Sequence, residues 1–125
     1  RGKRILLAED NELNWEVARE MLSVLGVELD WAENGQICVE KFENSPVGHY
    51  EAILMDVRMP VMDGHKATTV IRRLEREDAD VPIIAMTADA FSEDIQKCLE
   101  CGMNDHLANP IDVQAVAYKL KKYLK

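Results

Sequence analysis

The sequence predicts an α/β domain: a doubly wound, five-stranded parallel sheet in the order 2-1-3-4-5, with helices on both faces. Three observations predict it. Short, unbroken apolar runs recur along the chain, the mark of strands buried on both faces. Between them, apolar residues repeat at helical spacing, so strand and helix alternate, as in parallel strands joined by right-handed crossovers. The central run, Ala52-Ile53-Leu54-Met55, enters directly into Asp56, and Pro60 and Gly64 then break the chain. In open parallel sheets, ligands bind beyond the carboxyl ends of the strands, and 2-1-3-4-5 is a common order for them.

Each element follows from local pattern. Arg4-Ile5-Leu6-Leu7-Ala8 is the first strand and ends in Glu9 and Asp10. Leu13, Val17, Met21, Leu22 and Leu25 mark the helix after it, with Gly26 as its stop. Val27-Glu28-Leu29-Asp30-Trp31-Ala32 alternates, which suits a half-exposed edge strand. Asn34-Gly35 turns the chain into a helix carrying Cys38, Val39 and Phe42, and Ser45-Pro46-Val47-Gly48 leads back to the central strand. After Gly64, the positions Ala67, Val70, Ile71 and Leu74 mark a third helix, closed by the acidic stretch from Glu75 to Asp80. Val81-Pro82-Ile83-Ile84-Ala85-Met86 is the fourth strand, with Pro82 acceptable at its start, and it ends at Thr87. Phe91, Ile95, Cys98 and Leu99 stripe the next helix, stopped by Gly102. A short fifth strand falls around Asp105-His106-Leu107-Ala108, and Asp112 caps a last helix with Val113, Val116, Ala117, Leu120 and Leu124 facing in.

The totals narrow the function classes. With 125 residues, 47% apolar and 30% charged, the chain reads as one domain, residues 1–125, able to bury a real core. A net charge of −8 argues against direct contact with nucleic acid or an anionic membrane surface. No apolar run approaches the roughly 20 residues that span a bilayer. Arg1-Gly2-Lys3-Arg4 precedes only four apolar residues before Glu9, too few for a signal peptide. The chain does not begin with Met, and the expectation is a domain of a longer protein. Three cysteines, Cys38, Cys98 and Cys101, cannot all pair internally, which fits a reducing cytosol. Cys98 and Cys101 form a C-x-x-C, but Gly102 places them at a helix C-terminus, the wrong end for a stabilised thiolate. Structural thiols are expected.

An aspartate after a strand is ordinarily a turn former or a helix cap. What raises Asp56 above that reading is its company. In the predicted order the first, third and fourth strands are neighbours, so their carboxyl ends bring Glu9, Asp10, Asp56 and Thr87 together. Clustered carboxylates repel one another unless a cation intervenes. Oxygen ligands without His or Cys suit a hard octahedral ion, Mg2+ or Mn2+. With that charge offset, Asp56 is a plausible nucleophile, because carboxylates form acyl phosphates, and Thr87 is placed to hydrogen-bond a phosphoryl oxygen.

Ala8-Glu9-Asp10-Asn11, the run from Met55 to Gly64, Met86-Thr87-Ala88 and Asn109-Pro110-Ile111-Asp112 resemble the CheY-like (flavodoxin-like) receiver domains of two-component signalling. The resemblance covers nearly the whole chain. Glu9-Asp10-Asn11 with Asn14, and Met103-Asn104-Asp105-His106, are similar to receivers fused to hybrid sensor histidine kinases. The resemblance implies that Asp56 takes a phosphoryl group from a phosphohistidine on a histidine kinase or histidine phosphotransfer domain. It implies Mg2+ bound by Asp10, Asp56 and the backbone carbonyl of Arg58, with Glu9 acting through water. Thr87 would move towards the phosphoryl group, His106 would occupy the position of the aromatic switch residue, and Ala88 would be the small residue beside the pocket. It also admits a receiver homodimer, a cytoplasmic setting, and a membrane anchor elsewhere in the parent chain. The domain itself would be a self-phosphorylating acceptor, not a turnover enzyme, while the parent chain is a candidate sensor histidine kinase.

One position departs from the family. Asn109 stands where receivers carry Lys before the proline, so a neutral, shorter amide replaces a point cation, and charge-assisted bonds are roughly twice as strong as neutral ones. The alternative function is therefore a phosphorylation-impaired pseudo-receiver that serves as a protein-interaction module. An aspartyl-phosphate hydrolase would place an acid two residues after the nucleophile, where this chain has Arg58. Flavin binding would need a phosphate cradle where the chain reads Glu9-Asp10-Asn11-Glu12. His49 and His65 read as solvated, and Met55, Met59, Met62 and Met86 as core and loop filler. Trp15 falls off the expected apolar stripe of its helix, close to the acidic crevice, and is a candidate exposed contact for a phosphodonor protein.

Overall fold

The computed structural model describes residues 4–56, 62, 64–87, 99–108 and 113–123, with Thr87, Ala108 and Val113 described by their backbone alone. The strands are β1 (Arg4–Ala8), β2 (Glu28–Ala32), β3 (Ala52–Asp56), β4 (Ile83–Thr87) and β5 (Asp105–Ala108). Interleaved with them are α1 (Glu12–Ser23), α2 (Gly35–Glu43), α3 (Gly64–Arg72) and a C-terminal helix, Val113–Tyr123. All ladders are parallel, and the order is β2-β1-β3-β4-β5. The predicted topology therefore stands. Strand β4 begins at Ile83, after Pro82, and Asn104 secures its start: the Ile83 N–H donates to the Asn104 side chain, and the Asn104 N–H donates to the Ile83 carbonyl.

Strand alternation explains why the apolar runs are unbroken. Leu6, Ile53, Met55, Ile83 and Ala85 pack against Cys38, Phe42, Ala67 and Ile71 of α2 and α3. Their neighbours Ile5, Leu7, Leu54, Ile84, Met86 and Leu107 pack on the other face, against Ala18, Leu22, Val116 and Leu120. A side chain buried this fully contributes about 1.5–3 kcal/mol relative to exposure, so the two apolar faces of β1, β3 and β4 hold both helical layers to one sheet. Met55 and Met86 are core residues, as expected, and Met62 packs partly against the first cluster. Cys38 is fully buried, and burial pushes its thiol up to about 12, which leaves it protonated and inert. Cys101 is half-buried against the core, while Cys98 and Met59 lie outside the described residues.

The helix faces differ from the sequence pattern in two places. In α1 and the turn after it, the inward face carries Trp15, Ala18, Leu22 and Leu25, whereas Leu13 and Val17 are 67% and 40% exposed. Trp15 is thus a packed residue, not an exposed contact. The reason is tertiary: its ring stacks flat on Trp31 of β2, with centroids 5.3 Å apart and planes 5° from parallel. The helical turn at 99–101 ends at Gly102, whose φ of +115° suits only glycine, as the expected stop requires. Leu99, expected on the inward stripe, is 47% exposed; Phe91, Ile95, Asp112 and Leu124 lie outside the described residues.

Around the amino ends of the strands, two arginines tie loops to the sheet. Arg72, at the end of α3, donates to the carbonyls of Gly102, Ala79 and Val81 and to the Asn104 side chain. Arg76 donates to the Phe42 and Glu43 carbonyls at the end of α2, pairs with Asp78, and lies 4.7 Å above the Phe42 ring. These contacts tie the ends of α2 and α3 to the neighbouring loops.

Candidate functional site

The register of β1 and β3 builds the site. Ala8 lies opposite Met55, so Glu9 and Asp10 emerge beside Asp56 at the same edge of the sheet. Carboxylate oxygens of Glu9, Asp10 and Asp56 lie within 4.8 Å of one another. Glu9 is 3% exposed and Asp56 9% exposed, while Asp10 opens to solvent. Two buried acids and one exposed acid therefore share one crevice, the juxtaposition the sequence predicts.

The loop carrying Glu9 and Asp10 is fixed by hydrogen bonds. The Glu9 N–H donates to the Ala32 carbonyl at 3.0 Å, extending the β1–β2 ladder by one residue. The Asn11 N–H donates to the Glu9 carboxylate at 3.2 Å. Asn11 in turn caps α1, its side-chain oxygen accepting from the N–H groups of Leu13 and Asn14. On the other side, the Gly35 N–H donates to the Met62 carbonyl, tying the chain after β3 to the start of α2.

Burial pushes the Glu9 carboxyl above its ordinary range; hydrogen bonds from the Asn11 backbone, Asp56 and Asn14 pull it back, and the Asp10 charge raises it. Among the described residues, no lysine or arginine forms an ion pair with Glu9 or Asp10. Carboxylate oxygens crowded this closely are the donor set a hard divalent ion relieves, so these residues fit Mg2+ or Mn2+. No other group of three such side chains could hold a metal among the described residues.

The remaining predicted residues are placed unevenly. Strand β4 ends at Thr87, opposite Ala108, but the Thr87 side chain is not described. Arg58, Ala88 and Asn109 lie outside the described residues. His106 sits on β5 opposite Ala85, with its side chain 38% exposed and its Nδ1 3.7 Å from Asp105. His49 is exposed, edge-on to Tyr50, and no role follows from it. Sequence reasoning missed Trp31. Its indole N–H donates to the Glu9 carbonyl at 2.7 Å, and an alternating edge strand gives no sign of that bond.

Comparison with known proteins agrees with this geometry. Residues 5–121 match the family model of the response regulator receiver domain. Hybrid signal transduction histidine kinase B of Dictyostelium discoideum is 41% identical over 133 residues; the match covers 98% of this chain but 7% of that kinase. The receiver domain of a sensor histidine kinase from Pseudomonas aeruginosa PAO1, solved with magnesium coordinated in its active-site cleft, is 41% identical with a TM-score of 0.88, covering 98% of each chain. The receiver domain of the Saccharomyces cerevisiae response regulator Ssk1, solved with the histidine phosphotransfer protein Ypd1, has a TM-score of 0.85 at 28% identity, covering 98% of this chain and 88% of that one. With its sheet order, its crevice of acids and a family match over almost its full length, the chain belongs to the response regulator receiver domain family.

Proposed function

We propose that this receiver domain accepts a phosphoryl group on Asp56 from a phosphohistidine of a histidine kinase or histidine phosphotransfer protein. The observation that carries the reading is the convergence of Glu9, Asp10 and Asp56 within 4.8 Å at the carboxyl edge of a parallel sheet. An Asp56 carboxylate oxygen attacks phosphorus, forming an acyl phosphate as the bond from phosphorus to the donor imidazole breaks. Asp10, Asp56 and the Arg58 carbonyl would hold Mg2+ or Mn2+, with Glu9 acting through water. Bound there, the ion supplies positive charge for both the carboxylates and the incoming phosphoryl oxygens. Thr87 would hydrogen-bond the phosphoryl group, and His106 would relay its movement along β5.

The face for the donor is the outer side of α1. Leu13 and Val17 are exposed there, on the helix that leaves directly from Asp10. They take the role that the sequence pattern had suggested for Trp15. Burying two such side chains suits a transient protein contact beside a crevice that a phosphohistidine must enter.

One observation favours a second reading. Asn109 replaces the cation that receivers of this type present to the phosphoryl oxygens, which favours a module that binds its partner without efficient phosphorylation. Incubation with acetyl phosphate, followed by intact-mass measurement, separates the two. Phosphoacceptance predicts a gain of one phosphate that requires Mg2+ and disappears in Asp56→Asn. No gain in the unmodified chain would favour the interaction module, and undiminished labelling of Asp56→Asn would overturn the assignment of the acceptor.

A further inference from the structure

The two tryptophans of this chain, Trp15 and Trp31, form one stacked pair directly beneath the acidic loop. Trp31 is half-buried and held from three sides. Its backbone lies in the β1–β2 ladder opposite Leu7, its carbonyl accepts from the Lys41 ammonium of α2, and its ring lies flat on Trp15 of α1. From that fixed seat its indole N–H donates to the Glu9 carbonyl at 2.7 Å. The accepting oxygen belongs to the peptide between Glu9 and Asp10. Rotation of that peptide plane swings the Asp10 side chain towards or away from Asp56.

We infer that Trp31 is a positioning residue for the acid pair: its indole N–H fixes the Glu9–Asp10 peptide, and so sets the separation of the Asp10 and Asp56 carboxylates. The other bonds to the loop do not do this. The Glu9 N–H to Ala32 fixes the peptide before Glu9, and the Asn11 N–H to the Glu9 carboxylate fixes a side chain. Among the described residues, the Trp31 bond is the one that restrains the peptide from which Asp10 departs. Trp15 offers the indole a flat stacking surface that a phenyl ring would also supply, one helical turn after the Asn11 cap, with the Trp15 N–H bonded to the Asn11 carbonyl. Partners of this kind, which orient the groups that hold a metal, change affinity without touching the ion.

The inference rests on reading the acid cluster as a divalent-cation site, and its test separates the two. In the metal-free chain, the backbone amide of Asp10 should lose NMR order in Trp31→Phe, which keeps an aromatic ring but lacks the N–H. It should keep its order in Trp15→Phe. Titrated with Mg2+ alone, Trp31→Phe should bind about three- to tenfold more weakly, the worth of one ordinary hydrogen bond, and Trp15→Phe within about twofold of the unmodified chain. In the unmodified chain, the Trp31 indole proton should be protected from solvent exchange and should shift along the same Mg2+ curve as the Asp10 amide. An unmodified chain that ignores Mg2+ would defeat the cation-site reading, and the order of the Asp10 amide would still decide the role of Trp31. Unchanged Asp10 order in Trp31→Phe would overturn the inference. Should that variant fail to fold, a Trp31 indole proton exchanging as fast as a free indole would overturn it equally.

Discussion

The two ends of the sheet treat their carboxylates in opposite ways. Towards the amino ends, three acids each have a cation and a second donor within reach. Asp30 accepts from Arg4 and Tyr50, Asp78 from Arg76 and the Gly48 N–H, and Asp105 from Lys119 and Tyr123. At the carboxyl edge, Glu9, Asp10 and Asp56 face one another, and neither Glu9 nor Asp10 meets a described lysine or arginine. The proton affinities diverge accordingly. Although burial raises them, hydrogen bonds and the Arg76 and Lys119 charges bring Asp78 and Asp105 below the ordinary carboxylate range, whereas burial leaves Glu9 above it. One end is arranged to hold the fold together. The other keeps a concentration of negative charge that a closed, self-sufficient fold would not need, and such local costs are characteristic of functional sites.

Mutations should divide along the same line. The largest stability effect is expected from Arg72→Ala, which removes four hydrogen bonds and strands three carbonyls, for a loss of about 2–3 kcal/mol in urea unfolding, with Mg2+ affinity unchanged. Gly102→Ala comes next. Its φ of +115° strains any other residue, and its new Cβ would stand 2.9 Å from the Arg72 Cγ, so about 1–2 kcal/mol should be lost. Asp10→Asn should act in the opposite sense: Mg2+ binding falls by calorimetry, while the metal-free fold gains about 0.5 kcal/mol as like charges are separated. Equal destabilisation by changes at both ends would erase the distinction between them.

The smallest effect is in the pH dependence of the metal-free chain, where the two ends pull in opposite directions. Asp78 and Asp105 have folded values below their ordinary 3.8, so their support is complete above that pH and is lost as the pH falls through the folded values. Glu9 has a folded value above its ordinary 4.5, so its contribution is full below 4.5 and is lost as the pH rises through the folded value. Urea midpoints measured from pH 4 upwards should therefore decline less steeply in Glu9→Gln than in the unmodified chain. In Asp105→Asn, the loss of stability on acidification below about pH 4 should be shallower.

What the sequence reveals depends on how local the cause is. The strands and their order are legible because a strand buried on both faces must be apolar throughout, as Ile5-Leu6-Leu7 and Ile53-Leu54-Met55 are. The acids of the site are legible because they lie at, or within two residues of, the end of such a strand. The orientation of α1 is not. Leu13 and Val17 keep helical spacing with Leu22, and only the flat surface offered by Trp31 of β2 draws Trp15 inward instead. The clamp on the Glu9 carbonyl and the arginine ties at the amino ends are hidden for the same reason. They join residues 22 to 34 positions apart, or reach across loops, and no short pattern announces such a pairing.

The central claim is that the cluster of Glu9, Asp10 and Asp56 at the carboxyl edge holds a divalent ion. Calorimetric titration of the unmodified chain with Mg2+ at neutral pH tests it most directly. The account predicts one saturable site, lost in Asp10→Asn and kept in Arg72→Ala whenever that variant is folded. A featureless titration of the folded, unmodified chain, or a site that survives Asp10→Asn undiminished, would contradict it.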